Sequence, residues 1–463
     1  MRHEQSPMCV GETSVAAQGA ETGLAAPEGA EEQPGSSPSI SARAPIRFLV
    51  PLAVIVAAGT AVRISYVLTV GRHVKLGLDA IGYELLGSEL ANGSGYSDPV
   101  TLLTHGIERA SANFPPGYPL FLAALSKLGI TTTRGMELAG ACVGAVTVLA
   151  TGLLGRRIGG RSSVGLVAAG LVAISPALVA AAGSSMSETL SVPLLVLVLL
   201  AATWAARSRT ILAWLGVGAL AGVLALVRSE DLLVGVLLVP AAILAVPGKP
   251  WRVQLARVAV ALVATAAVVS PWVVRNLTTF HPPVVISTAA DKTVAGANCR
   301  STYYGDLLGY WDFTCLGHDH LATKDEARYG QALQSEGRRY AEKHLSRVPL
   351  VLGVRVLRAW GFYDPSQETR LDALETRSLG WQHLAWPVSL FMLLVAIPGI
   401  VSLRRDRLAL VLVAGPAVVD TLVVLLTYGN DRFVLSALPS LSIAAAVSLV
   451  GLGNRFARSQ AAT

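Results

Sequence analysis

The sequence predicts an all-α polytopic membrane protein on three observations. Hydrophobic residues make up 52% of the 463 and charged residues only 14%, with a mean hydropathy of +0.55, a balance too apolar for an ordinary soluble domain. Apolar runs of about 18 to 25 residues, enough at 1.5 Å per residue to cross a hydrocarbon layer of about 30 Å, recur along the chain. Finally, Lys and Arg gather in short segments between alternate runs, as retention of positive charge in the cytoplasm requires.

In chain order, residues 1–45 are rich in Gly, Ala, Pro, Ser and Glu and nearly free of large apolar groups. They cannot repay the entropy of ordering, which predicts a disordered cytoplasmic tail. The first long apolar run follows too far from the start for a cleaved secretory signal, so it is read as retained. About ten spans are expected. They fall near 46–70, 134–155, 163–182, 189–206, 210–228, 231–247, 253–274, 381–403, 408–427 and 432–453.

That count puts the positive residues on one side. Arg43 and Arg47 precede span one, Arg156, Arg157 and Arg161 follow span two, and Arg207 and Arg209 follow span four. Lys249, Arg252 and Arg257 follow span six, Arg404, Arg405 and Arg407 follow span eight, and Arg455 and Arg458 close the chain. Both termini are then cytoplasmic, and the net charge of +7 reflects topology, with no nucleic-acid partner needed to explain it. Residues 46–274 form a transmembrane module with its first outer loop at 71–133. Residues 275–380 form a second extracytoplasmic region, 381–453 the C-terminal spans and 454–463 a cytoplasmic tail.

Within the first outer loop, the apolar spacing from Leu78 to Ala91 suits a helix stopping near Asn92-Gly93. Pro115 and Pro116 then break the chain before an apolar stretch, Tyr118 to Leu128, too short to span and expected to lie along the surface. In the second outer region, residues 298–316 read as irregular or short-strand structure, Lys324 to about Arg347 as a charged helix, and Val348 to Trp360 as a second interfacial helix. Cys299 and Cys315, sixteen positions apart in this region, are expected to pair, a cross-link worth roughly 3 kcal/mol by chain entropy. His318-Asp319-His320 matches no common closed metal site and reads as a solvated loop.

Asp79, a carboxylate near a helix start just outside the membrane, is the leading candidate for a general base; its competing role is to cap that helix. Glu84, Glu89, Asp98 and Glu108 share the loop. Arg63 and Asp420 sit in apolar runs, both roughly 10 to 12 Å deep by helical rise. Such charges are costly unless paired or facing a polar cavity, so an Arg63–Asp420 ion pair is expected, structural or in the service of a substrate. Around the outer span ends stand Arg134 and Glu137, Ser187 and Glu188, Arg228, Glu230 and Asp231, Arg275 and Asn276, and Asn430, Asp431 and Arg432. Arginine forks placed there suit an anionic headgroup, or snorkel and pair with neighbours.

Several short motifs occur together in order. They are Arg63-Ile64-Ser65-Tyr66; Asp79 followed by Tyr83 and Leu90-Ala91-Asn92-Gly93-Ser94-Gly95-Tyr96; and Phe114-Pro115-Pro116-Gly117-Tyr118-Pro119-Leu120-Phe121. Further on come Ser187-Glu188-Thr189-Leu190, Arg228-Ser229-Glu230, Pro271-Trp272-Val273-Val274-Arg275-Asn276, and Tyr428-Gly429-Asn430-Asp431-Arg432-Phe433. From about Arg47 to Gly453 the chain resembles the GT-C membrane glycosyltransferases, in the bacterial branch similar to dolichyl-phosphate-mannose protein mannosyltransferases and lipid A aminoarabinose transferases.

The resemblance implies transfer of a sugar from a polyprenyl-phosphate donor to an acceptor hydroxyl of a protein, lipid or polysaccharide, on the outer face of the plasma membrane and among membrane lipids. Asp79 becomes the base of an inverting displacement. Arg228, Arg275 and Arg432 become candidates for the donor phosphate, with Arg63, Tyr83, Glu84, Glu188 and Asp420 in support. Ala80 follows Asp79 where many relatives carry a second acidic residue. No cofactor or metal site is predicted, and dependence on a divalent cation stays open. The competing class is a lipid or sugar transporter or flippase, for which matched halves and mid-membrane polarity are the usual marks.

Overall fold

A computed structural model describes residues 43–98, 101–102, 106–317 and 325–460. The tail expected over 1–45 lies outside the described residues up to residue 42, as does His318-Asp319-His320. Among the described residues the chain is helical, with a lone bridge between Ser97 and Ala110 and no strand.

The helices run in chain order as α1 (Arg43–Thr69), α2 (Leu78–Asn92), α3 (Gly117–Lys127), α4 (Thr133–Gly159), α5 (Ser162–Ile174) and α6 (Pro176–Ala182). Then come α7 (Glu188–Arg207), α8 (Ala213–Val227), α9 (Val239–Leu244), α10 (Trp251–Thr279), α11 (Ala289–Ala297) and α12 (Arg300–Tyr304). The series closes with α13 (Glu326–Lys343), α14 (Val348–Ala359), α15 (Pro365–Asp372), α16 (Leu379–Ser402), α17 (Arg407–Leu426) and α18 (Leu438–Gln460).

Among the described residues, 7 helices are long and apolar enough to cross a membrane, and up to 8 if the bent pair α5–α6 counts as one span. Each of the ten expected runs is helical, but three are not single long helices: 163–182 is the bent pair α5–α6, and two others are short or broken. Helix α8 has 15 residues, about 22 Å at 1.5 Å per residue. The run expected at 231–247 is assembled from a 3-10 turn, a π segment over Val234–Leu238 and the short α9. The last helix continues to Gln460, into residues expected to be a tail.

The bend between α5 and α6 is 63° and has a local cause. Pro176 opens α6 and cannot donate to the Val172 carbonyl one turn earlier. Arg63 of α1 fills the gap: its guanidinium donates to the carbonyls of Val172 at 3.0 Å and Ala173 at 3.1 Å, and to Gly59 within α1 at 3.0 Å. A cation at the carbonyl end of a helix also meets the negative pole of its dipole. Asp420 is employed elsewhere, accepting from the Ser436 hydroxyl at 2.8 Å and from the Ala437 amide at 3.0 Å. The expected Arg63–Asp420 ion pair is therefore not formed; each buried charge is satisfied by dipoles close to it.

The main core joins α1, α4 to α10, α16, α17 and α18. Glycine sets the tightest crossings: a Cβ on Gly218 of α8 would collide with the Ala261 backbone of α10, and one on Gly399 of α16 with the Ala444 backbone of α18. Small residues allow helix axes to approach where lipid-like surroundings give little hydrophobic drive.

Residues 298–316 depart from the strand alternative. They form helix α12 and a 3-10 turn over Phe313–Leu316, and Cys299 is bonded to Cys315. Helix α13 covers the charged run and packs on α11. Arg355 and Arg358 of α14 are buried. Arg355 donates to the Ala297 carbonyl at 2.8 Å, and Arg358 to the Leu308 carbonyl at 2.6 Å and the Glu368 carboxylate at 3.1 Å. Replacing Cys299 and Cys315 together by Ser is expected to cost roughly 3 kcal/mol by loop-closure entropy. A lowered thermal midpoint of the purified protein, matched by wild type under reductant, checks this.

Candidate functional site

Six helix ends converge on one cluster of charge. Asp79 lies in the first turn of α2, Glu188 opens α7, and Arg228 ends α8 with Glu230 just beyond. Glu375 and Arg377 come from the turn between α15 and α16, and Asp431 and Arg432 from the 3-10 segment leading into α18.

The capping role for Asp79 is not taken. Gly77 is the N-cap, with no side-chain cap bond, and the Asp79 carboxylate instead faces Arg432 at 3.1 Å. Packing aims it there. Tyr83, one turn along α2, is buried against Phe114 at 4.1 Å and Tyr118 at 5.0 Å between ring centroids. Gly117 lets this layer lie on the end of α8, because a Cβ there would sit 2.8 Å from the Leu226 carbonyl oxygen. The Phe114 to Tyr118 motif thus joins the helix bearing Asp79 to the helix ending in Arg228. Glu84, five residues on, ties α2 elsewhere: it accepts from the Thr133 hydroxyl at 2.6 Å and from the Ser185 hydroxyl.

Glu188 is the hub. One carboxylate oxygen meets Arg228 at 2.7 Å and Arg432 at 2.8 Å, while the other is buried without a partner among the described residues. Its position at the start of a helix suits a negative charge. Arg228 also grips Glu230 with two donors, at 2.9 and 2.7 Å. Arg432 reaches Glu375 at 3.4 Å as well. Asn430 braces this arm, accepting from the Arg432 amide at 2.8 Å and donating to Tyr310 at 3.0 Å and Glu375 at 3.1 Å.

Exposure separates the carboxylates. The Asp79 side chain is 48% exposed, against 3% for Glu188 and 20% for Glu375. Asp79 is the acid of this cluster most open to an incoming hydroxyl. Burial pushes the Glu375 carboxyl above the usual carboxylate range, with Arg432 and Arg377 opposing. Burial likewise raises Asp372, which Arg377 opposes. For Arg377 itself burial works downward, but Asp431 at 2.5 Å and Asp372 at 3.4 Å outweigh it and hold the guanidinium firmly charged.

A small polar cavity adjoins the hub, lined by Glu188, Arg228, Glu230, Asp231, Asp420 and Arg432 among others, and it admits little more than a water molecule. A second lies between Arg63 and Glu188. Among the described residues, the three ligand-type groups that come close enough for a metal are Cys299, Asp312 and Cys315, and both sulfurs are spent in the disulfide.

Arg275 stands apart from Arg228 and Arg432 in its bonding. Its fork donates to the carbonyls of Ser111 at 2.7 Å and Tyr96 at 3.0 Å, and its charge lies over Trp272 at 4.9 Å. It pins the first loop to the end of α10. Conversely, the sequence reading passed over Glu375, Arg377, Asp372 and Tyr310. The dense charge of Asp372 to Arg377 against the start of an apolar run was the available signal, the same one that marks Asp431-Arg432.

Residues 113–274 match the family model described as dolichyl-phosphate-mannose-protein mannosyltransferase. A search of curated proteins returns no match. Among solved structures, the chain is similar to the archaeal oligosaccharyltransferase AglB from Archaeoglobus fulgidus in complex with an inhibitory peptide and a dolichol-phosphate. The TM-score is 0.56 at 15% identity, over 90% of this chain and 51% of that one. The apo form of the Archaeoglobus fulgidus oligosaccharyltransferase gives 0.54 at 13% identity, over 91% and 52%. ArnT from Cupriavidus metallidurans bound to undecaprenyl phosphate aligns at 0.39 and 16% identity, over 90% and 80%. The chain spans about half the length of the oligosaccharyltransferase structures it matches, and the likeness to them is one of fold.

Proposed function

We propose that this chain, a membrane glycosyltransferase of the GT-C type, passes a sugar from a polyprenyl-phosphate donor to an acceptor hydroxyl, with Asp79 as general base and inversion at the anomeric carbon. Asp79 takes the hydroxyl proton, the oxygen attacks the anomeric carbon, and the bond from that carbon to the phosphate oxygen breaks, its electron pair leaving with the lipid phosphate. Arg228 and Arg432 are the groups proposed to hold that phosphate and stabilise its growing charge. Arg275 is left as a brace for the loop.

One observation carries this reading: a half-exposed carboxylate and a buried arginine pair share a cluster, Asp79 touching Arg432 at 3.1 Å and Glu188 bridging Arg432 to Arg228. Base and anion ligands are then within one side chain of each other, as a single displacement requires. The location proposed is the cell membrane, with the site facing away from the cytoplasm. The sidedness of Lys and Arg and the bonded Cys299–Cys315 pair support that orientation.

Arg228→Gln is expected to weaken donor use, raising the KM for polyprenyl-phosphate sugar by about tenfold or more, since a charged hydrogen bond is worth roughly 1.5–3 kcal/mol. Transfer assays in isolated membranes over a range of donor concentrations measure this. Unchanged donor dependence in a folded, inserted variant removes Arg228 from the site, and movement of a labelled lipid without any transfer favours a flippase.

A further inference from the structure

The two arginines proposed as phosphate ligands are already in contact with four carboxylates, those of Glu188, Glu230, Asp79 and Glu375. The cavity beside them has no room for a phosphate group. The Arg432 Nε and Nη1 donors are engaged by Glu188, Asp79 and Glu375, so an anion that binds at Nη1 must take a carboxylate's place. Glu188 is buried on a long helix at 2.7 and 2.8 Å from its arginines. Glu230 contacts Arg228. Asp79 is fixed in the first turn of α2 at 3.1 Å. Glu375 makes the longest arginine contact of the set, 3.4 Å, is otherwise held by the neutral donors Asn430 at 3.1 Å and Tyr310 at 3.3 Å, and lies in a turn outside any helix.

The local backbone also favours Glu375 as the one that leaves. Thr376 holds φ at +64°, a left-handed conformation that β-branched residues rarely adopt. Two contacts with the start of α2 hold it there. The Gly77 amide donates to the Thr376 hydroxyl at 2.8 Å, and a Cβ on Gly77 would sit 2.6 Å from the Leu374 carbonyl oxygen. The turn bearing Glu375 thus rests on the residue that opens the helix bearing Asp79. Displacing one shifts the support of the other.

We propose that the Glu375 carboxylate stands in for the donor phosphate on Arg432 in the donor-free protein, and that the turn 373–377 must swing away for a polyprenyl phosphate to bind. This rests on the reading of Arg432 as a phosphate ligand. Glu375 is a positioning residue in this scheme: it keeps the buried guanidinium paired and in place until the lipid headgroup arrives. Removing its charge frees Arg432 and takes a like charge away from the incoming phosphate.

The test measures binding of farnesyl phosphate, inorganic phosphate and farnesol to the purified full-length protein, in wild type and in the Glu375→Gln, Glu375→Asp and Arg432→Gln variants. Farnesyl phosphate should bind Glu375→Gln about tenfold tighter than wild type. Inorganic phosphate should follow, and farnesol should not change. Glu375→Asp, which keeps the charge on a shorter arm, should tighten binding by less; it carries the test if the Gln variant does not fold. Farnesyl phosphate binding no tighter in either Glu375 variant, while Arg432→Gln loses it, overturns the stand-in and leaves the phosphate site intact. Binding to Arg432→Gln equal to wild type removes the phosphate site itself, and the stand-in with it. Tightening for inorganic phosphate alone also overturns the proposal, by assigning Arg432 to free phosphate instead of a lipid headgroup.

Discussion

Asp79→Asn is expected to lower transfer by about a hundredfold to ten-thousandfold, the usual worth of a positioned general base, with farnesyl phosphate still bound. The amide keeps the shape of the carboxylate and can still accept from Arg432, so α2 and its packing through Tyr83, Phe114 and Tyr118 should persist. What it loses is the capacity to take a proton from the acceptor. Asp79→Glu keeps that capacity on a longer arm and should recover part of the rate. Initial rates in isolated membranes, normalised to inserted protein, make the comparison, and near-normal transfer by the Asn variant would rule out the base assignment.

Glu188→Leu should have the largest effect on stability, a loss of about 3–5 kcal/mol, the range seen when one partner of a buried ion pair is removed. Arg228 and Arg432 both rest on the same oxygen of Glu188, and all three side chains are at least nine-tenths buried. Without the carboxylate, two guanidinium groups face each other with Glu230, Asp79 and Glu375 left to neutralise them from the rim. Thermal midpoints in detergent measure the loss. The triple variant Glu188→Leu, Arg228→Met, Arg432→Met distinguishes a structural ion cluster from a binding one. It should regain part of the stability, because the two buried guanidinium groups are gone, although Glu230, Asp79 and Glu375 lose their arginine partners, and none of the activity, because the proposed phosphate ligands are gone. Recovery of transfer in that variant would eliminate both arginines as donor ligands.

Some of the site was legible because helix ends are legible. Asp79 was read at the start of α2, Glu188 at the start of α7, and Arg228 and Arg432 at the margins of apolar runs, and these four meet. Arg63 and Asp420 were read as each other's partner because each sat alone at similar depth. The structure gives Arg63 the carbonyls bared by Pro176 and gives Asp420 the turn at Ser436. Proline chemistry at 176 was visible in the sequence; which side chain answers it was not. Arg275 shows the same limit, since an arginine at a span end reads alike whether it faces a ligand or a loop carbonyl.

The sequence by itself determined that this chain is helical and membrane-embedded, that short loops carry the positive charge, and that charged side chains gather at helix ends. Those properties follow from composition and period, which are local sums over neighbouring residues. Only the tertiary structure decided that Asp79, Glu188 and Glu375, spread across most of the chain, would share the guanidinium of Arg432. Glycine crossings such as Gly218 on Ala261 and a proline-forced bend fix where helix ends arrive. Partner choice for a buried charge depends on that arrival, because in a medium of low dielectric a charge is satisfied by whichever dipole or ion is packed against it.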